Sequence, residues 1–239
     1  MNDTIHMLWI GNELSTLERL SLSSFIAHGH RVILHVYGEV AGIPTGVTLA
    51  DGNRVMPSSA IFQYAQHETY AGFANFFRYK LLLEQGGWWV DTDAVCLKRF
   101  DFPQEHVIPT EWTPTRQATI CNGLLKAPLG SPAMEYAWRV CQTKDTRALK
   151  WGETGPRLLG EAVQACALES YTVPPAVFCP IPYYEWQCVL DPGRVWEFDS
   201  STYAVHLWNE MWRRSKQDRN GYYDPACLYE QLKTRFLVS

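Results

Sequence analysis

Residues 86–93 read Gly86-Gly87-Trp88-Trp89-Val90-Asp91-Thr92-Asp93, an apolar strand that ends abruptly in two carboxylates one residue apart. In an extended segment the side chains at i and i+2 point the same way, so Asp91 and Asp93 present adjacent oxygens where the strand runs out. Two such carboxylates repel unless a cation lies between them. Mg²⁺ or Mn²⁺, held by one or two carboxylates and completed by substrate phosphates, is the usual resolution. A solvated Asp-x-Asp turn has the same letters, so the surroundings must decide.

Upstream, Ala71 to Gln85 is apolar around much of a helical circumference and is stopped by Gly86-Gly87, a helix C-terminus. Asn75 and Arg78 lie three apart and share one face of that helix. An arginine among Phe73, Phe76, Phe77 and Leu81 needs a buried partner, and its fork suits phosphate as the Asn75 amide suits sugar hydroxyls; the alternative is an ion pair with Glu84 or another acid.

The rest of the chain alternates strands and helices. Ile5 to Ile10 reads as the first strand, and Ser15-Thr16-Leu17-Glu18 as a capping box opening a helix that ends near His28-Gly29. Arg31 to Tyr37 and Val47 to Ala50 read as the next strands, Ile120 to Leu125 as a later one, and Ala176 to Cys179 as a strand between rigid proline loops. Helices open at Ser131-Pro132, Gly155-Pro156 and Asp224-Pro225, the last ending at Phe236-Leu237. This order predicts an α/β fold, a parallel sheet covered by helices, with ligands beyond the strands' C-terminal ends. Trp9, Tyr37 and Asp91 fall at such ends. The 239 residues fit one domain spanning 1–239, with no linker or repeat.

Charge and cysteines narrow the partners. A net charge of −4 argues against a nucleic-acid backbone, which calls for a basic stripe. One basic cluster, Arg213, Arg214, Lys216 and Arg219, is a solvated face or a peripheral contact for anionic lipid or an acceptor's diphosphate. No apolar run reaches the ~18 residues of a membrane span, and the N-terminus has no basic-then-apolar leader pattern. Seven cysteines, an odd number without C-x-x-C or zinc spacing, read as reduced buried residues. The expected location is the cytoplasm, at most against the inner face of the membrane.

The motifs in this order resemble the DXD-motif glycosyltransferases of family 32, in particular short bacterial capsular-polysaccharide synthesis proteins. The resemblance runs over nearly the whole chain: Leu8-Trp9-Ile10-Gly11, Gly29-His30, Phe76-Phe77-Arg78-Tyr79, the 86–93 motif, Asn122-Gly123, Gly152-Glu153-Thr154-Gly155-Pro156 and His206-Leu207-Trp208. It implies a single GT-A domain with a Rossmann-like mixed sheet, a nucleotide-diphosphate sugar donor (a UDP-sugar), and Mn²⁺ or Mg²⁺. It also implies transfer with retention to a saccharide or lipid-linked acceptor in polysaccharide biosynthesis. Trp9, Tyr37, Asn75, Arg78, Asp91, Asn122, Gly123 and Gly155 are then expected at the donor, and Asp93, His206 and Asp91 at the metal. Where this chain has Asn75 the family often has an acid. No nucleophile is identified, and Asp91 and Arg78 are the candidate catalytic groups.

Two other classes fit parts of the sequence. Asp91-Thr92-Asp93-Ala94-Val95 matches the D-x-D-x-[TV] motif of haloacid dehalogenase-type phosphatases, with Asp91 as nucleophile. That motif belongs early in such a chain, and no late acidic pair for Mg²⁺ follows here. Ten tryptophans, including Trp112, Trp151, Trp186, Trp208 and Trp212, would suit a non-catalytic sugar-binding module, but such a module gives Asp91, Asp93 and Arg78 no purpose.

Overall fold

The computed structural model describes residues 3–64 and 68–237. The first half builds the predicted parallel sheet: β1 (Ile5–Leu8), α1 (Thr16–Ala27), β2 (Val32–Val36), β3 (Thr48–Asp51), α2 (Ala71–Gln85) and β4 (Gly87–Val90). β5 (Ala94–Cys96), β6 (Ile108–Trp112), β7 (Ala118–Ile120), β8 (Leu124–Ala127), α3 (Pro132–Gln142) and α4 (Pro156–Ala165) follow. Then come β9 (Thr172–Val173), β10 (Ala204–His206), α5 (Asn209–Arg214) and α6 (Leu228–Phe236).

The main sheet has the order β3-β2-β1-β4-β8, parallel except for the edge pair β4 and β8. The chain leaves β1 toward β2 on one side, while β4 pairs with β1 on the other. Open α/β sheets bind their ligands at such a reversal, outside the carboxyl ends of the strands. Trp9 follows β1 and Asp91 follows β4, so both stand at this crevice.

Successive residues of a strand face opposite ways, and β4 sends its two tryptophans into different cores. Trp88 packs with Phe100 and Phe178 on one face, and Trp89 with Phe77 of α2 on the other. A third cluster joins α1, α5 and α6 around Trp212 and Tyr229. Gly86 is required at the turn into β4: its φ is +65°, and a Cβ there would lie 2.5 Å from the Leu129 nitrogen. The α1 capping box forms, Glu18 Oε2 accepting from the Ser15 N–H at 2.8 Å.

Four local expectations need correction. Asp91 and Asp93 stand on a tight turn closed by the Ala94 N–H on the Asp91 carbonyl, 3.2 Å, rather than on an extended strand. The strand expected over Ile120 to Leu125 is broken at Cys121-Asn122-Gly123, where the chain crosses from β7 to β8. Ala176 to Cys179 is no strand: a 3-10 turn occupies Pro175–Val177, since two prolines lack the N–H a ladder needs, and the strand is β9, paired with β6. The last helix begins at Leu228, because the Asp224 side chain accepts from the Ala226 N–H, 2.9 Å, and holds an Asx turn first. Every cysteine is free, as expected, and all but Cys166 and Cys188 are buried.

Three buried histidines set an acid limit on this core. His6 Nδ1 and His35 Nε2 share a hydrogen bond of 3.1 Å across β1 and β2, and the Phe100 N–H donates to His30 Nε2. Burial holds His6 and His30 down to about 4 and His35 to about 3. The unfolded chain takes up these protons near pH 6.5, so stability is full above that value and is lost as pH falls toward 4. The melting temperature should therefore drop steadily from pH 6.5 to 4, and His35→Gln, which keeps a polar partner without a titration, should flatten the slope. A His35→Gln slope identical to that of wild type would contradict the assignment.

Candidate functional site

The crevice at the end of β1 and β4 is two adjoining cavities of about 430 and 310 Å³, which share Ala71, Arg78, Asp91, Asp93 and Glu210. Together they are of the size that holds a small-molecule ligand. Asn75, Asn122, Gly123, Gly155 and His206 line the larger one; Trp9 lines the smaller. Tyr37 lines neither. Its ring packs on Phe73 and Phe77 and its hydroxyl donates to the Met56 carbonyl at 2.8 Å, away from the crevice.

Asp91 is held rigidly. Its Oδ1 accepts from Arg78 Nη2 at 3.0 Å and from Trp89 Nε1 at 2.8 Å, and its Oδ2 lies toward Gly123. Arg78, buried on α2, also donates to the Asn122 carbonyl and stacks 4.9 Å over the Trp89 ring. The expected phosphate fork is thus engaged with Asp91, which makes Arg78 first a positioning residue. Burial pushes the Asp91 carboxyl up to about 6, against the pull of Arg78, with Asp93 adding to the rise.

Asp93 titrates the other way. Burial alone would raise it, but His206 Nε2 at 3.1 Å and the Asn209 N–H at 2.7 Å on its second oxygen hold it below the usual range. A left-handed residue, Trp208 at φ +58°, brings the Asn209 N–H round to that oxygen. Burial works against a charge on His206, yet Asp93 and Cys121 hold its pKa well above the usual value. Ligand atoms of Asp91, Asp93 and His206 all lie within 4.8 Å of one another. Two carboxylates and an imidazole are a donor set for a divalent ion with oxygen preference, so the residues fit Mn²⁺ or Mg²⁺. Gly123 must be glycine: a Cβ there would stand 2.7 Å from the His206 ring.

Asn75 and Asn122 join across the larger cavity, Asn122 Nδ2 donating to Asn75 Oδ1 at 2.9 Å. Gly155 is the N-cap residue of α4 beside them, and Glu153 makes no cap on that helix: it pairs with Lys144 at 2.7 Å and accepts from the Lys150 N–H at 3.2 Å. Among the tryptophans, Trp151 and Trp208 line the larger cavity, while Trp186 and Trp212 are core. Arg213 and Arg214 of the basic cluster flank the crevice on Glu210, and Arg219 anchors buried Glu18 at 3.0 Å.

Sequence reasoning missed Glu111. It lies on β6 in the larger cavity, its Oε2 buried with no hydrogen-bond partner, and burial pushes it up to about 8. Ile-Pro-Thr-Glu-Trp carries no motif, so nothing in the sequence marks it. Cys121, in the break between β7 and β8, was read only as a buried thiol and also lines this cavity.

Residues 45–114 match the family profile "Glycosyltransferase sugar-binding region containing DXD motif", and residues 144–236 match "Alpha 1,4-glycosyltransferase conserved region". Human lactosylceramide 4-alpha-galactosyltransferase is 34% identical over 100 residues, 36% of this chain and 27% of that protein. Human alpha-1,4-N-acetylglucosaminyltransferase is 24% identical over 152 residues, 56% of this chain and 41% of that protein. This chain therefore matches less than half the length of either relative. The solved structure of PaToxG Glycosyltransferase has the same fold, with a TM-score of 0.52 at 18% identity over 71% of this chain and 72% of that one. The glycosyltransferase resemblance and the GT-A-like α/β fold read from the sequence are borne out.

Arg78 is buried in this pair while Asp91 is part-open to the crevice, so removing the arginine leaves a partly solvated carboxylate and two lost hydrogen bonds. Arg78→Met should lower unfolding stability by about 1–3 kcal/mol, and Arg78→Met with Asp91→Asn should recover a large part of it. Urea unfolding of the two variants decides; equal losses, or a near-neutral Arg78→Met, would show that the pair does not hold the turn.

Proposed function

We propose that this chain, whose residues 45–114 match the DXD-containing glycosyltransferase profile, transfers a hexose or N-acetylhexosamine from a nucleotide-diphosphate sugar, a UDP-sugar, to a saccharide or glycolipid acceptor. The convergence of Asp91, Asp93 and His206 at the sheet's reversal point carries this reading. The names of the two relatives, an α-galactosyltransferase and an α-N-acetylglucosaminyltransferase, support retention of the anomeric configuration and a glycolipid or saccharide acceptor. Residues 1–239 act as one catalytic domain in this reading, and the setting is polysaccharide biosynthesis of the capsular kind at the cytoplasmic face of the membrane. No helix among the described residues is long and apolar enough to cross a membrane.

Asp93, His206 and Asp91 would hold Mn²⁺ or Mg²⁺, which neutralises the charge that builds on a departing diphosphate. Trp9, on the lining of the smaller cavity, offers a ring for the nucleobase. Arg213 and Arg214 stand beside the crevice as cations toward the diphosphate. The Asn75–Asn122 pair presents amides to sugar hydroxyls, and Trp151 and Trp208 present apolar faces to the sugar or acceptor ring. Arg78 fixes Asp91 and so the geometry of the turn. A phosphatase with Asp91 as nucleophile finds no support among the relatives, which are glycosyltransferases.

Incubation with a panel of nucleotide sugars and Mn²⁺, reading free nucleoside diphosphate, tests the reaction class. Slow donor hydrolysis without acceptor is expected, with none from simple phosphate esters. Asp93→Asn, which keeps the shape of the side chain, should lower turnover by ~10³-fold, about 4 kcal/mol of barrier. A folded Asp93→Asn with near-normal turnover, or full wild-type activity in excess EDTA, would refute the metal-dependent reading.

A further inference from the structure

Behind the turn that carries Asp93, three side chains from three separate parts of the chain meet. Cys121 comes from the break between β7 and β8, Cys179 from the turn after β9, and His206 from β10. The two sulfurs are 3.7 Å apart, and ligand atoms of all three residues lie within 4.8 Å of one another. All three are buried. Thiols in this compartment gain little from each other, since S–H is a weak donor and sulfur a weak acceptor.

The spacing matches something else. Two thiolates on one tetrahedral zinc ion, each at about 2.3 Å, stand about 3.8 Å apart, the edge of the tetrahedron. The imidazole is also arranged as zinc ligands are. A ligating histidine usually gives its other ring nitrogen to a carboxylate, and His206 Nε2 is 3.1 Å from Asp93 Oδ1. That leaves Nδ1, buried and without a hydrogen-bond partner, for the sulfur side. Glu111 adds a second orphan, its buried Oε2 on the same cavity wall as Cys121. Cys121 and His206 line that cavity, so an ion has an entry path.

We propose that Cys121, Cys179 and His206 form a second, sulfur-rich cation site for a zinc-class ion, and that this site and the hard-cation site at Asp91 and Asp93 draw on the same imidazole. Soft thiolate ligands select zinc over Mn²⁺ and Mg²⁺, so the two sites differ in metal as well as position. Binding displaces the two thiol protons and fixes His206 with Nε2–H toward Asp93, which removes that nitrogen from the donor metal. The existence of the site stands on the geometry alone; its inhibitory effect rests on the function proposed above.

The test uses the full, reduced chain stripped with a chelator and then titrated with Co²⁺ alone as a spectroscopic stand-in. One equivalent should give the intense visible bands of tetrahedral cobalt and a near-ultraviolet thiolate-to-cobalt band, both discharged by one equivalent of Zn²⁺. Asp93→Asn should weaken zinc by roughly 10–100-fold, Cys179→Ala by more, and zinc should protect the two thiols from forming a disulfide with oxidised glutathione. In the donor-hydrolysis assay, low zinc should inhibit wild type in the presence of Mn²⁺ and inhibit Cys179→Ala much less. The wild-type cobalt spectrum needs no variant to fold: absence of the thiolate band overturns the proposal, as does zinc affinity unchanged in Cys179→Ala. A cobalt spectrum as expected in a protein without transferase activity would uphold the site and reject the function.

Discussion

The Arg78 guanidinium is the contact on which the site's geometry depends. It ties α2 to the end of β4 through Asp91 and to the broken strand through the Asn122 carbonyl, and it stacks on Trp89. Two consecutive elements, α2 and β4, and the break before β8 more than thirty residues on are thereby fixed around one guanidinium. In a buried setting each of those bonds is strong, and each would be costly to leave unmade. The fork of arginine, with its five donors in a plane, can meet these partners together; a lysine cannot.

From that anchor the two acids acquire different characters. Desolvation and the neighbouring Asp93 push Asp91 up against the pull of Arg78, whereas His206 and a backbone N–H hold Asp93 down. Their proximity stores repulsion that a cation would relieve, and His206 already provides a partial substitute by bonding Asp93. The same imidazole faces two thiols on its other side, so one residue stands between a hard-ligand and a soft-ligand environment. The topology explains why all this gathers here, since the crevice opens where the strand order reverses between β1 and β4.

Much of this was legible in the sequence because it rests on local rules. The helix ending at Gly86-Gly87, the apolar strand after it and the alternation of elements follow from periodicity and from the φ that glycine alone adopts easily. Asp91, Asp93, Arg78, Asn122 and His206 came together as the motifs implied. Their exact local form did not: the i, i+2 rule assumed an extended chain, whereas the two acids converge across a turn. Tyr37 stands at a strand end, as the rule for ligand sites asks, but its ring finds better packing on Phe73 and Phe77 than in the crevice. Glu111, and the pairing of Cys121 with Cys179 across 58 residues, depend on how β6, β9 and the proline turns pack, and no local pattern reports that.

Anomalous diffraction from crystals grown with Mn²⁺ and a nucleoside diphosphate tests whether the crevice at the end of β4 binds the diphosphate through a divalent ion on the DXD turn. A manganese peak is expected within about 2.0–2.3 Å of an Asp93 oxygen, with the diphosphate on the same ion and the base toward Trp9. Manganese and diphosphate bound elsewhere, with Asp93 still closed on His206 and the Asn209 N–H, would contradict this mode of binding.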